Sequence, residues 1–172
     1  MRSGPAALLN ERQPLEWLHK PNLSSNLTGI EVMCPHALEE QKKRIAAFLE
    51  HQRTGVINTF GSQGIWAMPV WYRSHNFEME CLVPRWADVA HHLAGESKVL
   101  LIVQASSGDG LRWLQIQGTA QPVATPDWTS LLPRWISTMQ PDALYLVVRI
   151  KPSRIDLVDD SVGLGVQETL EW

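Results

Sequence analysis

The alternation in residues 111–123, LRWLQIQGTAQPV, constrains the fold more than any other feature of the sequence. One set of alternate positions is apolar or small, and the other set is aromatic or polar. The first set is Leu114, Ile116, Gly118 and Ala120, and the second is Trp113, Gln115, Gln117 and Thr119. Successive side chains of a strand point to opposite faces, so this pattern predicts a half-buried β-strand.

Five further segments carry strand patterns, and short turn-forming segments such as GSQG and SSGDG separate several of them. These segments are GVINTF, IWAMPVWYR, FEMECLV, SKVLLIVQA and ALYLVVRIKPSRIDLVD. The second is apolar on both faces, which predicts burial on both sides, and its Pro69 predicts a bulge or a position without a ladder partner. Short loops imply antiparallel pairing. The sequence therefore predicts a mainly β fold, a six-stranded antiparallel barrel with peripheral α-helices.

Three segments have helical periodicity. In PHALEEQKKRIAAFLEHQ, one face is apolar and consists of Leu38, Ile45, Phe48 and Leu49. In LVPRWADVAHHLAGE, residues 82–96, a second apolar face consists of Trp86, Val89, Ala90 and Leu93, which places His91 and His92 on the solvated side. The segment TPDWTSLLPRWISTM opens with an N-cap signal and predicts one or two short helices interrupted at Pro133.

The chain has 172 residues, a length typical of one domain with an extension. We expect an N-terminal extension over residues 1–34, a barrel domain over 35–160 and a C-terminal tail over 161–172. The net charge is −3 and the basic residues are scattered, which argues against a nucleic-acid partner. No apolar run reaches the length of a membrane span and no signal peptide is evident, so we expect a soluble cytoplasmic protein.

Common catalytic motifs are absent from the sequence, including GxSxG, the P-loop, HExxH and GxGxxG. The adjacent His91 and His92 point about 100° apart on a helix and cannot easily share one metal ion. Cys34 and Cys81 have no neighbours that suggest a metal pattern. We therefore expect no metal site, and no catalytic residue can be assigned.

The order of several segments resembles that of the pyridoxamine 5′-phosphate oxidase-like, FMN-binding split-barrel proteins. The segments are FLEHQRTGVINTFGSQGIWAMPVWYR, SKVLLIVQ, LRWLQIQGTAQPV and LYLVVRIKPSRIDLVD, and the resemblance spans about Leu38 to Asp159. It implies a homodimer with a small-molecule site at the interface, where FMN is the cofactor. It also implies that strands carrying Trp66, Trp71 and Trp113 pair with or face the partner.

The resemblance also implies which residues contact the flavin. Met68 and Arg73 match two positions that carry cations in the oxidases, and Trp113 matches a glutamine that contacts the ring. Leu82-Val83 and Ala87-Asp88-Val89 match the segments that normally hold the phosphate, so the usual hydroxyls and cations are missing. Arg85, at the start of the same helix, is the candidate replacement. The cofactor-binding prediction covers Met68, Val70, Trp71, Tyr72, Arg73, Leu82, Val83, Arg85, Trp113 and Gln115.

Two functions are compatible with these residues. The first is a flavin-dependent oxidoreductase, in which FMN carries the electrons and the protein supplies orientation and a shielded interface. The second is a non-enzymatic dimer that has lost FMN or binds another planar ligand, such as haem or the deazaflavin F420, in a Trp-rich cleft. The retained strand segments favour the first hypothesis, and the missing phosphate contacts favour the second.

Overall fold

A computed structural model of the chain describes residues 35–61, 64–105, 110–133, 140–160, 163 and 167–172. The predicted extension, residues 1–34, lies outside the described residues, as do residues 134–139 of the third predicted helical segment. The helices are α1 (Pro35–His51), α2 (Asp88–Gly95), α3 (Trp128–Leu131) and α4 (Pro141–Leu144). The strands are β1 (Thr54–Gly61), β2 (Gly64–His75), β3 (Glu78–Pro84), β4 (Lys98–Gln104), β5 (Arg112–Pro122), β6 (Tyr145–Asp159) and β7 (Gln167–Glu171).

Six strands close into an antiparallel barrel, which confirms the predicted fold class. The strand order is β3-β2-β1-β4-β5-β6, and pairing between β3 and β6 closes the ring. β6 is long enough to serve two partners on one edge. Residues 145–150 of β6 pair with β3, and residues 154–158 pair with β7, a strand in the tail for which the sequence predicted no element.

The barrel interior holds the main hydrophobic core, and β5 shows why its pattern was informative. Leu114, Ile116 and Ala120 are buried, whereas the alternate side chains of β5 face outward. β1 and β6 contribute in the same way through Ile57 and Ile155. Burial of a large aliphatic side chain is worth about 1.5–3 kcal/mol, so this one-sided alternation dictates which face of each strand lies inside.

β2 corrects the prediction of burial on both sides. Ile65 is 69% exposed and Trp66 is 38% exposed, whereas Val70 and Tyr72, further along the strand, are buried. The reason is that β3 pairs with β2 only from Trp71 onwards, so residues 64–70 have β1 as their one strand partner. Pro69 pairs with Val56 in unbroken register, without the predicted bulge, and lies in the part of β2 where the missing N–H removes no bond to β3.

The turn between β2 and β3 shifts the third strand by one residue relative to the prediction, to residues 78–84. Asn76 and Phe77 both have positive φ, 48° and 68°, which is the backbone conformation of a two-residue hairpin turn. Phe77 therefore lies in the turn and β3 begins at Glu78. Its ring packs against the core and lies 5.6 Å from the ring of Trp172, a contact that helps to hold this unusual conformation.

The apolar face of α1 is confirmed. Ile45, Phe48 and Leu49 are buried in the core, and Leu38 packs against it. The carbonyl of Leu49, near the end of the helix, accepts a hydrogen bond from the hydroxyl of Tyr72 at 3.0 Å. This bond joins the helix to the barrel wall.

The predicted face of α2 is right for three residues and wrong for Trp86. Val89 and Leu93 are buried and Ala90 packs against the core, but Trp86 is 79% exposed. α2 begins at Asp88, so Trp86 lies in the preceding turn and does not follow the helical direction. His92 differs from the expected solvated side chain, because its ring lies over Gly61 and 5.7 Å from the ring of Trp66.

A second, smaller cluster lies on the outside of β2, β3 and β6. Leu82, Leu131 and Val147 are its buried members, and α3 supplies the covering Leu131. Trp71, Trp128 and Tyr145 pack around them. The segment after β5 therefore folds back over the barrel, which is why part of the outer surface of β2 and β3 is not available to other molecules.

β7 is held in place by polar contacts. The buried Asp156 of β6 accepts two hydrogen bonds from Nε of Arg154, at 2.9 and 3.0 Å, and one from Thr169 at 2.6 Å. From α1, Gln41 donates to the carbonyl of Thr169 at 3.1 Å. Burial alone would raise the pKa of Asp156, but these hydrogen bonds, with one from Gln167, outweigh it and hold the pKa below its ordinary value.

The lowered pKa of Asp156 predicts a loss of stability in acid. The unfolded carboxyl has a pKa of about 3.9, so its contribution is fully present above that pH and disappears as the pH falls through the lower folded pKa. At pH 7, Asp156→Asn should lower the free energy of unfolding by about 1–3 kcal/mol, because the hydrogen bonds lose their charge. Urea unfolding of wild type and variant should show this gap at pH 7 and a smaller gap near pH 2.5. A stability gap of the same size at pH 7 and at pH 2.5 would contradict the lowered pKa of Asp156.

Candidate functional site

The predicted cofactor residues do not form one site within the chain. Val70, Tyr72 and Val83 are buried inside the barrel, and Met68 packs against the same core. Burial raises the pKa of Tyr72 above its ordinary value, so its hydroxyl stays protonated as the donor to Leu49. These side chains pack in the barrel core. Contact between a cofactor and the backbone of β2 stays a prediction.

Leu82 and Trp71 belong to the second cluster outside the barrel. Leu82 is fully buried beside Leu131, and Trp71 packs against the same group. The chain itself therefore covers a large part of the surface that these two predicted residues provide.

Arg73 is compensated by acids of its own chain. Its Nη2 lies 3.1 Å from Oε2 of Glu80, and its Nη1 lies 3.6 Å from Oδ2 of Asp127 and also donates to the hydroxyl of Ser130. Glu80 is shared with Arg149, whose Nη2 lies 2.6 Å from its other oxygen. An arginine with two carboxylate neighbours offers an incoming phosphate much less charge than a free one.

The start of α2 is poor in anion-binding groups. Arg85 uses its Nε to donate to the carbonyl of Asp142 at 2.8 Å. Ala87, the N-cap residue, is buried and makes no side-chain hydrogen bond, and the exposed Asp88 adds a negative charge in the first turn. The helix amides favour an anion here, but the side chains do not.

The last two predicted residues, Trp113 and Gln115, lie on the outward face of β5, and Gln115 lines a groove. This outer groove has a volume of about 520 Å³ and runs across β1, β4 and β5. Phe60 and Leu100 give it an apolar floor, and glutamine, threonine, serine and lysine side chains surround them. The lining residues are Phe60, Lys98, Val99, Leu100, Gln115, Gln117, Gly118, Thr119 and Ser153.

An apolar surface, which we call the outer sheet face, overlaps the groove at Phe60 and Leu100. It consists of outward side chains of β2, β1 and β4 that the pairing registers bring together: Ile65, Ala67, Pro69, Val56, Phe60, Leu100 and Ile102. The polar residue among them is Asn58, and its Nδ2 donates to the carbonyls of Val56 and Leu100 at 3.2 and 3.1 Å. Because both N–H donors of Asn58 are satisfied within the chain, the outer sheet face stays apolar despite this polar side chain.

In the described part of the chain, no three His, Cys, Asp or Glu side chains come together as metal ligands. No helix of that part is long and apolar enough to span a membrane.

No family model matches the sequence, and the curated proteins contain no match either. Solved structures do match. General stress protein 26 from Bacillus anthracis has a TM-score of 0.61 at 16% identity, covering 77% of this chain and 99% of that one. A Clostridium acetobutylicum protein related to general stress protein 26, of the pyridoxinephosphate oxidase family, has a TM-score of 0.60 at 13% identity, with 77% and 95% covered.

The chain has the split-barrel fold of the pyridoxamine 5′-phosphate oxidase-like proteins. A heme binding protein from Mycobacterium smegmatis shares this fold, with a TM-score of 0.60 at 15% identity, covering 73% of this chain and 56% of that one. The structural similarity establishes the split-barrel architecture, and identities this low do not identify the ligand.

The residues of this split barrel fit a bound FMN only in part. The position implied for the phosphate has the compensated Arg73, the buried Leu82 and Val83, and the acidic Asp88 at the start of α2. None of these side chains offers a free charge or hydroxyl to a phosphate. An aromatic ring system fits better, because the outer groove combines an apolar floor with carboxamides.

Most of the groove was missed by the sequence prediction, which included only Gln115. A signal was present, because Phe60, Lys98 and Gln117 occupy outward positions of alternating strands. It became specific only once the pairing of β1, β4 and β5 was known, since these residues are far apart in the sequence.

Proposed function

We propose that the protein is a homodimer that binds a flavin-type planar cofactor in the outer groove, next to the interface between the two chains. The observation that carries this proposal is the outer groove itself, which adjoins the exposed outer sheet face. Its volume of about 520 Å³ falls within the range of roughly 300–1,000 Å³ usual for cofactor pockets.

The chemistry of the groove suits a flat heterocycle. The ring of Phe60, which is 44% exposed, offers a stacking surface. The carboxamides of Gln115 and Gln117 each provide donors and an acceptor, which matches the mixed polar edge of an isoalloxazine ring. The groove is open on one side, so a second chain would be needed to shield the ring from water.

The outer sheet face supports a second copy as that covering partner. Exposed contiguous apolar surface commonly marks an interface. Ile65, Phe60 and Val56 project from neighbouring strands, and Asn58 between them already satisfies its donors internally. A two-fold dimer through this face would bury it and bring each groove against the partner.

A bound flavin would supply the redox chemistry, and the protein would orient it and exclude water. Among the described residues, no carboxylate or histidine lines the outer groove, so the proposed oxidoreductase activity depends on the cofactor and not on a carboxylate or histidine of the groove.

Haem binding is the second candidate, and a specific observation favours it. Among the described residues implied for the FMN phosphate, none carries a hydroxyl, Arg73 is compensated and Asp88 adds a negative charge, whereas haem does not carry a phosphate. One similar solved structure is described as a heme binding protein.

Titration of the purified protein with FMN, riboflavin and haemin tests the proposal. We expect flavin fluorescence to be quenched at micromolar concentration, with about one flavin per chain, because the ring system would stack in the groove. Phe60→Ala should weaken flavin binding about tenfold or more through loss of stacking and apolar contact. Leu111→Ala, an exposed apolar position outside the groove, is the matched control. Tight haemin binding without any flavin binding would overturn the flavin assignment.

A further inference from the structure

Most cations of the described residues are already paired with acids. Arg73 and Arg149 share Glu80, Arg154 pairs with Asp156 and Glu171, and each of the other paired cations has a single acid. The remaining pairs are Lys42–Glu39, Lys43–Glu40, Arg44–Glu168 and Arg112–Asp159. The described cations without an ion pair are the ones most available to an anionic group on a ligand, and they are Arg53, Arg85, Lys98 and Lys151.

Two of these cations lie together beside the outer groove. Lys98 of β4 pairs with Thr119 of β5, and Thr119 pairs with Lys151 of β6. All three lie next to buried, inward-facing residues, so their own side chains face outward. Since neighbouring strands are about 4.8 Å apart, the backbones of the two lysines are about 10 Å apart, with the threonine hydroxyl between them. We call Lys98, Thr119 and Lys151 the lysine row.

The acids nearest the lysine row leave it a net positive charge. Glu96 uses Oε1 to accept from the backbone N–H of Lys98 at 3.3 Å. Asp156, four pairing positions further along β5 and β6, is occupied by Arg154 and Thr169. Within the described part of the chain, neither Lys98 nor Lys151 forms an ion pair.

The bulge between Gln117 and Gly118 lies next to the lysine row and shapes this end of the groove. It inserts Ser153 as an extra residue in β6, so that its side chain also lines the groove. Lys98 and Thr119 of the lysine row thus line one end of the groove, and Lys151 lies next to Thr119 on β6. The hydroxyl of Ser153 donates to the carbonyl of Gln117 at 3.3 Å. Lysine and hydroxyl groups are common ligands of phosphate oxygens.

We propose that the lysine row binds the phosphate monoester of a ligand whose ring lies in the outer groove. This inference rests on the proposed flavin function and names the anion contact of that site. It relocates the contact away from the start of α2, where Nε of Arg85 donates to a backbone carbonyl and Asp88 adds a negative charge.

A comparison of FMN with riboflavin tests the lysine row, because the two ligands share a ring and differ by the phosphate. The dissociation constants are measured for wild type, for the double variant Lys98→Met with Lys151→Met, and for Arg85→Met as the matched control. Wild type should prefer FMN by about tenfold or more at low salt, and 0.5 M NaCl should reduce that preference. The double variant should lose the preference while it still binds riboflavin, and Arg85→Met should retain the preference of wild type.

Each other outcome has a distinct meaning. Equal affinity of wild type for the two ligands would overturn the lysine row and leave the flavin function intact. A preference that survives in the double variant but disappears in Arg85→Met would overturn it too, in favour of the start of α2. Absence of binding for both ligands would instead contradict the proposed function, on which the lysine row depends.

Discussion

Gly118→Ala is expected to lower the free energy of unfolding by roughly 3 kcal/mol or more, the upper part of the range for a forced steric overlap. A Cβ at this position would lie 2.2 Å from the carbonyl oxygen of Lys151 and 2.9 Å from Cα of Pro152. Both are backbone atoms of β6 and cannot rotate away, so the strands must separate at the bulge. Separation there would weaken the pairing of β5 with β6, which runs along the whole of β5.

Thermal or urea unfolding measures this effect, with Gly95→Ala as the matched control. Gly95 is the last residue of α2 and has open space around its Cα, so alanine there should be neutral or stabilising by up to about 1 kcal/mol. A Gly118→Ala variant as stable as wild type would mean that β5 and β6 do not approach as closely as the structure has them.

Ile65→Glu is expected to convert the proposed dimer into a monomer. The side chain of Ile65 is 69% exposed on the outer sheet face, so the substitution costs the isolated chain little. At a two-fold interface it would place one unpaired carboxylate per chain in an apolar contact. Truncating or charging a central apolar residue commonly costs about 2 kcal/mol or more per site, which amounts to a large change in the dimer dissociation constant.

Sedimentation equilibrium or light scattering at several concentrations gives the oligomeric state. Leu111→Glu is the matched control, because Leu111 is 55% exposed and lies outside the outer sheet face. We expect the control to remain dimeric and the Ile65 variant to be monomeric with an unchanged far-ultraviolet circular dichroism spectrum. If both variants stay dimeric, the interface lies elsewhere. A monomeric wild type would remove the basis for a shielded groove.

The outcomes for β5, α1, β2 and Trp86 show which aspects of burial a sequence pattern can predict. The alternation of β5 and the apolar face of α1 predicted correctly which side chains are buried, because each pattern reports a local geometry that the barrel preserves. The same reasoning failed for β2 and for Trp86. Burial of Ile65 depends on whether another layer covers it, and burial of Trp86 depends on where α2 begins, so neither is a local property.

The sequence by itself determined the strand-rich architecture and the inward face of most elements, because periodicity and turn residues act over a few neighbouring positions. Only the tertiary structure decided which charged side chains form ion pairs. Strand pairing places Lys98 in a row with Lys151, and the segment after β5 brings Asp127 to Arg73, although each of these pairs is more than 50 positions apart in the sequence. The free energy of a cation depends on every acid within a few ångströms, and those distances exist only in the closed barrel.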